Sequence, residues 1–103
     1  MPKGYWIVRV DASDPEVYGR YVKANAEPLG RYGARFLVRG GKHEAVEGAA
    51  RARNVVIEFP SFEKALACFK DEAYQAAKAI RDPVATAEIL VIEGYDGPQP
   101  GAA

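Results

Sequence analysis

Tyr21 and Asn25 stand four residues apart, which on a helix places both side chains on one face. They belong to a longer series, Tyr18, Tyr21, Val22, Asn25, Leu29 and Tyr32, at spacings of three and four, so a polar amide interrupts an otherwise apolar stripe. A buried amide needs hydrogen-bond partners. Two readings supply them. Asn25 is satisfied locally, by Tyr21 or by the Ala24 carbonyl that Pro28 frees. Or Tyr21 and Asn25 are convergent polar groups in an apolar wall and face a small molecule. In that second reading Arg39 adds a guanidinium to orient the ligand, and His43, the one histidine of the chain, moves a proton.

His43 lies in the loop sequence GGKHE without a second anchoring partner, which is also the pattern of a solvated side chain. Cys68 sits beside an apolar helical stripe, the place of a packed thiol rather than a nucleophile. Tyr74 and Arg81 are compatible with a pocket mouth and equally with ordinary packing. No His, Cys and acidic residues show metal-ligand spacing, so no metal and no other cofactor is expected. RGGK lacks the strand, loop and helix context of a phosphate loop, and GxGxxG is absent.

The elements that position these residues follow from pattern. GYWIVRV, Gly4 to Val10, is a strand. Asp14, Pro15 and Glu16 are start signals for a helix, which is expected to kink or stop near Glu27 ahead of Pro28. Strands follow over Ala34 to Arg39 and Asn54 to Phe59; KHEAVEG is either a short irregular strand or a loop. Ser61 caps a second helix and Asp71 caps a further helical piece that ends at Asp82-Pro83. Thr86 to Glu93 is the fourth strand. The order is that of a split βαβ unit: an α+β, ferredoxin-like βαββαβ protomer with a four-stranded antiparallel sheet and the helices on one face. Residues 1–97 form a single domain and 98–103 a flexible tail.

The chain has 103 residues, 14 basic and 14 acidic, for a formal net charge of zero. A nucleic-acid partner, which would call for a basic excess, is not expected. One cysteine excludes an internal disulfide, and no segment has the length or apolarity of a signal peptide or a membrane span, so the expected location is cytoplasmic, with no membrane partner.

GYWIVRV raises a problem of coverage, because it is apolar on both sides. Two helices shield one face of the sheet. Strict alternation places Trp6, Val8, Val10, Phe36, Val38, Val55, Ile57 and Phe59 under them. It leaves Tyr5, Ile7, Arg9, Arg35, Leu37, Arg39, Val56 and Glu58 on the other side. Burying a large apolar side chain is worth about 1.5–3 kcal/mol, so a wet second face would forfeit several such contributions. A second copy packed sheet to sheet covers it. The charges there then either pair, with Arg–Glu contacts around Glu58, or line an anion pocket.

With its elements placed, the chain resembles the dimeric α/β-barrel superfamily and, within it, a bacterial family of roughly hundred-residue proteins classed as a domain of unknown function. The resemblance rests on GYWIVRVD followed by DPE, on Tyr21 and Asn25, and on YGARFLVRGG, VEG, VVIEFPSFEKALACF, AYQAAKAIR and VIEGYDG. It spans Gly4 to Gly97; Ala34 departs from it, standing where a second glycine is expected. The resemblance implies a dimer whose sheets enclose a barrel. It implies no activity, since relatives in the superfamily include cofactor-independent monooxygenases, isomerases, haem-degrading enzymes and ligand-sensing domains. The expected function is a homodimeric, cofactor-independent enzyme for a small aromatic or carboxylated metabolite. The alternative is a non-catalytic small-molecule-binding or protein-interaction module.

Overall fold

The computed structural model describes residues 2–101. It contains β1 (Gly4–Ala12), α1 (Pro15–Arg31), β2 (Arg35–Arg39), β3 (Arg53–Phe59), α2 (Phe62–Lys70), α3 (Glu72–Arg81), a 3₁₀ turn over Asp82–Val84 and β4 (Ala85–Glu93). The strands lie in the order β2-β3-β1-β4, all neighbours antiparallel. This is the ferredoxin-like plan, with β1 and β3 in the centre. Residues 42–52 form no strand, so the irregular alternative for KHEAVEG resolves to a loop.

Capping accounts for the helix starts. The Asp14 carboxylate accepts from the backbone N–H groups of Glu16 and Val17, Ser61 Oγ from Lys64, and Asp71 from Ala73. Asp71 also ties the end of α1 to the junction of α2 and α3, because Arg31 donates both terminal guanidinium nitrogens to it and Tyr32 donates its hydroxyl. Those donors hold the Asp71 carboxyl well below the usual carboxylate range.

Of the two outcomes expected near Glu27, a kink or a stop, the stop is corrected: the helix runs through Pro28 to Arg31. Pro28 forfeits one backbone hydrogen bond, but its ring is fully buried, and its carbonyl still accepts from the Tyr32 N–H at 3.3 Å. Burial of the ring offsets the lost bond. Cys68 Sγ packs 3.8 Å from the same carbonyl, and burial pushes its thiol up to about 12.

The core lies between the sheet and the helices. Trp6 is its centre: the indole Nε1 donates to the Ala65 carbonyl at 2.8 Å, and the ring meets Tyr74 edge-on with centroids 4.9 Å apart. Phe59 and Phe69 complete the aromatic cluster. Truncating a buried ring of this kind costs about 3–5 kcal/mol.

The alternation expected along β2 is also corrected. Phe36 pairs with Ile57 as alternation requires, but Val38 then pairs with Val56 and Arg39 with Val55, because the register shifts between Phe36 and Val38. Leu37 is the extra residue of a β-bulge, two residues opposite one. Past the bulge the faces exchange. Val38 joins the open side of the sheet, and Arg39 turns to the helix side, where its guanidinium stacks over the Phe36 ring at 4.0 Å.

The open side divides into two halves. One is apolar, with Ile7 between Val56 and Leu90, and Tyr5 beside Ile92; Val38, Leu90 and Ile92 are about half exposed. The other is charged, and residues 49–52 cross it. Arg9 donates to the Ala49 carbonyl, Arg51 bridges Asp11 and Glu88 at 2.9 Å each, and the Ala52 N–H donates to Asp11. The expected ion pairing around Glu58 is therefore replaced by pairing around Glu88 and Asp11. Glu58 instead accepts a 3.3 Å hydrogen bond from Tyr5. Its cross-strand neighbour Arg35 is not within ion-pair distance.

Candidate functional site

The space between α1 and the sheet is bridged by large side chains rather than by close backbone packing, and a cleft remains there. Tyr18, Tyr21, Val22 and Asn25 of α1 form one wall. Trp6 and Val8 of β1, Val55 and Ile57 of β3, and Phe36 of β2 form the other. Arg39 and Arg53 line it where β2 ends and β3 begins. The cleft has about 30 Å³ of free volume, room for roughly two water molecules.

Three of the four expected site residues, Tyr21, Asn25 and Arg39, line this one cleft; the β2 bulge is what brings Arg39 to it. His43 does not. It sits on the exposed loop, its imidazole Nδ1 3.4 Å from the Gly41 carbonyl. Tyr74 and Arg81 do not border this cleft: Tyr74 is fully buried, and Arg81, 4% exposed, faces a separate groove along α3 and β4. Tyr21 does not satisfy Asn25 either: its hydroxyl meets the Tyr74 hydroxyl at 2.8 Å, while the Arg81 guanidinium lies 5.1 Å from its ring centre. Burial, with Tyr21 beside it, pushes the Tyr74 phenol far above its ordinary range. The pair is thus a strut between α1 and α3, and the Asn25 amide is left to the cleft.

Arg53 was not evident as a site residue from sequence, because it borders the segment whose path pattern alone leaves open. A signal was present: Arg53 shares the parity of Val55, Ile57 and Phe59, so extending β3 by one residue puts a guanidinium on the buried face. In the structure Arg53 pairs with Val10 and its guanidinium sits 5.8 Å from the Tyr18 ring centre. Its Nε is buried and has no hydrogen-bond partner among the described residues. Leaving a buried polar group in that state costs about 1–3 kcal/mol, more when it is charged. Gly40, at φ +64°, lies against the same side chain, where an added Cβ would come within 2.6 Å of Nη1.

The electrostatics are one-sided. Two guanidinium groups line the cleft and, among the described residues, no carboxylate does. Burial pushes the Tyr18 phenol up despite the opposing charge of Arg53, so Tyr18 remains a neutral donor. A wider groove of about 470 Å³ runs along α3 and β4, but its cations are already matched, Lys78 and Arg81 both bonding Asp82.

The antiparallel βαββαβ plan, with a cleft beneath its helix layer, is a ferredoxin-like fold. The chain belongs to the family described as "Domain of unknown function (DUF1330)", whose profile matches residues 3–95. Among solved structures it is similar to a protein of unknown function from Rhodopseudomonas palustris, RPA0582. Identity is 16%, the TM-score 0.71, and the match covers 93% of this chain and 85% of that one. It is also similar to SnoaB, a cofactor-independent oxygenase from Streptomyces nogalater, at 10% identity and TM-score 0.63, covering 97% and 99% of the two chains. An uncharacterized NIPSNAP domain protein from Burkholderia xenovorans matches at 17% identity and TM-score 0.52, covering 100% and 99%. At these identities the likeness is one of fold. No curated protein matches the chain.

Proposed function

We propose that this protein is a cytoplasmic homodimer that binds a small aromatic or carboxylated metabolite in the α1–sheet cleft and acts on it without a cofactor. One observation carries the reading: Tyr21, Asn25 and Arg39, polar groups from two elements, converge on a cleft whose other walls are apolar. The similarity in fold to a cofactor-independent oxygenase agrees with it. Tyr21 and Asn25 would donate and accept hydrogen bonds to orient the ligand, and Arg39 would attract its charge. The free volume is small, so entry of a ring requires Arg39 or Tyr18 to swing outward; Arg39 is exposed and Tyr18 half-buried.

The homodimer rests on the apolar half of the open sheet side. Ile7, Val38, Val56, Leu90 and Ile92 form a patch that a second copy would cover, while residues 49–52 already shield the charged half.

A second reading, a non-catalytic binding module, is favoured by the absence of any histidine or carboxylate from the cleft lining. Without such a group, no side chain there is suited to taking a proton near neutral pH. One experiment addresses both. A panel of aromatic and carboxylated metabolites is screened by thermal shift and for turnover, with wild type and Asn25→Leu. Binding lost in a folded Asn25→Leu supports the cleft. Turnover in the panel supports the enzyme, and binding without turnover supports the module. If Asn25→Leu fails to fold, or binds as wild type does, Asn25 is a structural residue and the proposed site is wrong.

A further inference from the structure

Among the eight arginines of the chain, Arg9, Arg20, Arg31, Arg51 and Arg81 each have a carboxylate within 4.0 Å. Among the described residues Arg35, Arg39 and Arg53 have none, and of these three Arg39 and Arg53 line the same cleft. Each lies near an aromatic ring, Phe36 under Arg39 and Tyr18 beside Arg53. Arg39, stacked by its face, keeps its N–H fork free in the plane, the geometry that grips a carboxylate with two parallel hydrogen bonds, while Arg53 stands beside the Tyr18 ring with its Nε unbonded. A Cβ at Gly40 would crowd Nη1 of Arg53, and the buried Nε of Arg53 has no partner among the described residues. A purely packed arginine would not need its Nε buried and unbonded beside an acid-free cleft.

We propose that Arg53, together with Arg39, is the receptor for the carboxylate of the ligand, which makes the ligand class organic carboxylates rather than neutral arenes. This rests on the cleft being the ligand site and goes further, assigning a residue and a charge. The free volume of about 30 Å³ suits a carboxylate group and not a ring. The anionic head therefore occupies the existing space, and the apolar body displaces the Tyr18 side. Gly40 is a positioning residue, since a side chain there would push the Arg53 guanidinium away.

The test uses the full chain and three probes: sodium benzoate, its neutral isostere benzamide, and inorganic phosphate. Binding is followed by calorimetry and by amide chemical-shift changes. Benzoate is expected to bind with shifts at Tyr21 and Asn25, benzamide and phosphate at least about tenfold more weakly. Loss of charge-assisted hydrogen bonds should weaken benzoate about 10- to 100-fold in Arg53→Gln, leaving benzamide unchanged. Arg53→Lys, which keeps the charge and loses the fork, should fall between them, and it decides the matter if Arg53→Gln does not fold. Equal affinity for benzoate and benzamide, or an Arg53 variant that is less stable but still prefers benzoate, overturns the receptor while leaving the cleft as a ligand site. Phosphate binding as well as benzoate overturns the carboxylate class. Shifts that avoid Tyr21 and Asn25, or no binding by any probe, overturn both the receptor and the cleft.

Discussion

The hydroxyl groups of Tyr21 and Tyr74 meet at 2.8 Å inside the core and join α1 to α3. Each ring is almost completely buried, so neither oxygen has ready access to water in exchange for the other. Tyr74→Phe strands the Tyr21 hydroxyl and should destabilise the fold by about 1–3 kcal/mol, read as a lower urea midpoint at unchanged slope. Tyr21→Phe should cost a similar amount. The double variant should cost less than the sum, because removing both oxygens leaves nothing unpaired. Strict additivity would show that the two hydroxyls do not depend on each other.

The bulge at Leu37 yields a second expectation. Deleting Leu37 removes the surplus residue and restores plain alternation along β2 without exchanging the faces, because Val38 still meets Val56 and Arg39 still meets Val55. The variant should fold with Arg39 still on the helix side, over Phe36. It should therefore retain the preference for benzoate over benzamide. Loss of that preference in a folded variant would mean that the bulge itself, and not only the side on which Arg39 lies, shapes the site.

Alkaline pH should weaken the fold. Burial pushes the Cys68 thiol up to about 12 from an ordinary 9.0 and raises the Tyr74 phenol above its ordinary 10.0. Well below pH 9 both groups hold their protons whether the chain is folded or not, and their contribution is fully present. As pH rises from 9 through 12 the unfolded chain releases protons that the native state retains, so stability falls. The melting temperature should be flat between pH 7 and 8.5 and decline by pH 11. Cys68 should resist a thiol reagent at pH 8 and react once urea is added. A native thiol that reacts freely at pH 8 would contradict the packing described for α2.

How much of this was legible in the sequence depends on whether the signal is local. Asp14, Ser61 and Asp71 announce their helices because a cap acts within three residues, and the β-branched run of β3 is equally self-contained. The side on which Arg39 lies is not local. One surplus residue in a five-residue strand leaves its period unreadable until the partner strand fixes the register, so alternation alone placed Val38 and Arg39 on the wrong sides. Pro28 misled for a related reason. Its cost is paid within α1, whereas the burial that offsets it comes from Cys68 and its neighbours on α2. Glu88 could be recognised as the partner of Arg51 only once β1 and β4 were known to lie side by side.

The cleft and the apolar patch lie on opposite sides of one sheet. If two copies join back to back through that patch, their clefts point outward in contrary directions, and no atom of one copy borders the hollow of the other. Saturation should then follow a simple hyperbola at every protein concentration. Dilution to single protomers should lower heat resistance and leave ligand affinity untouched.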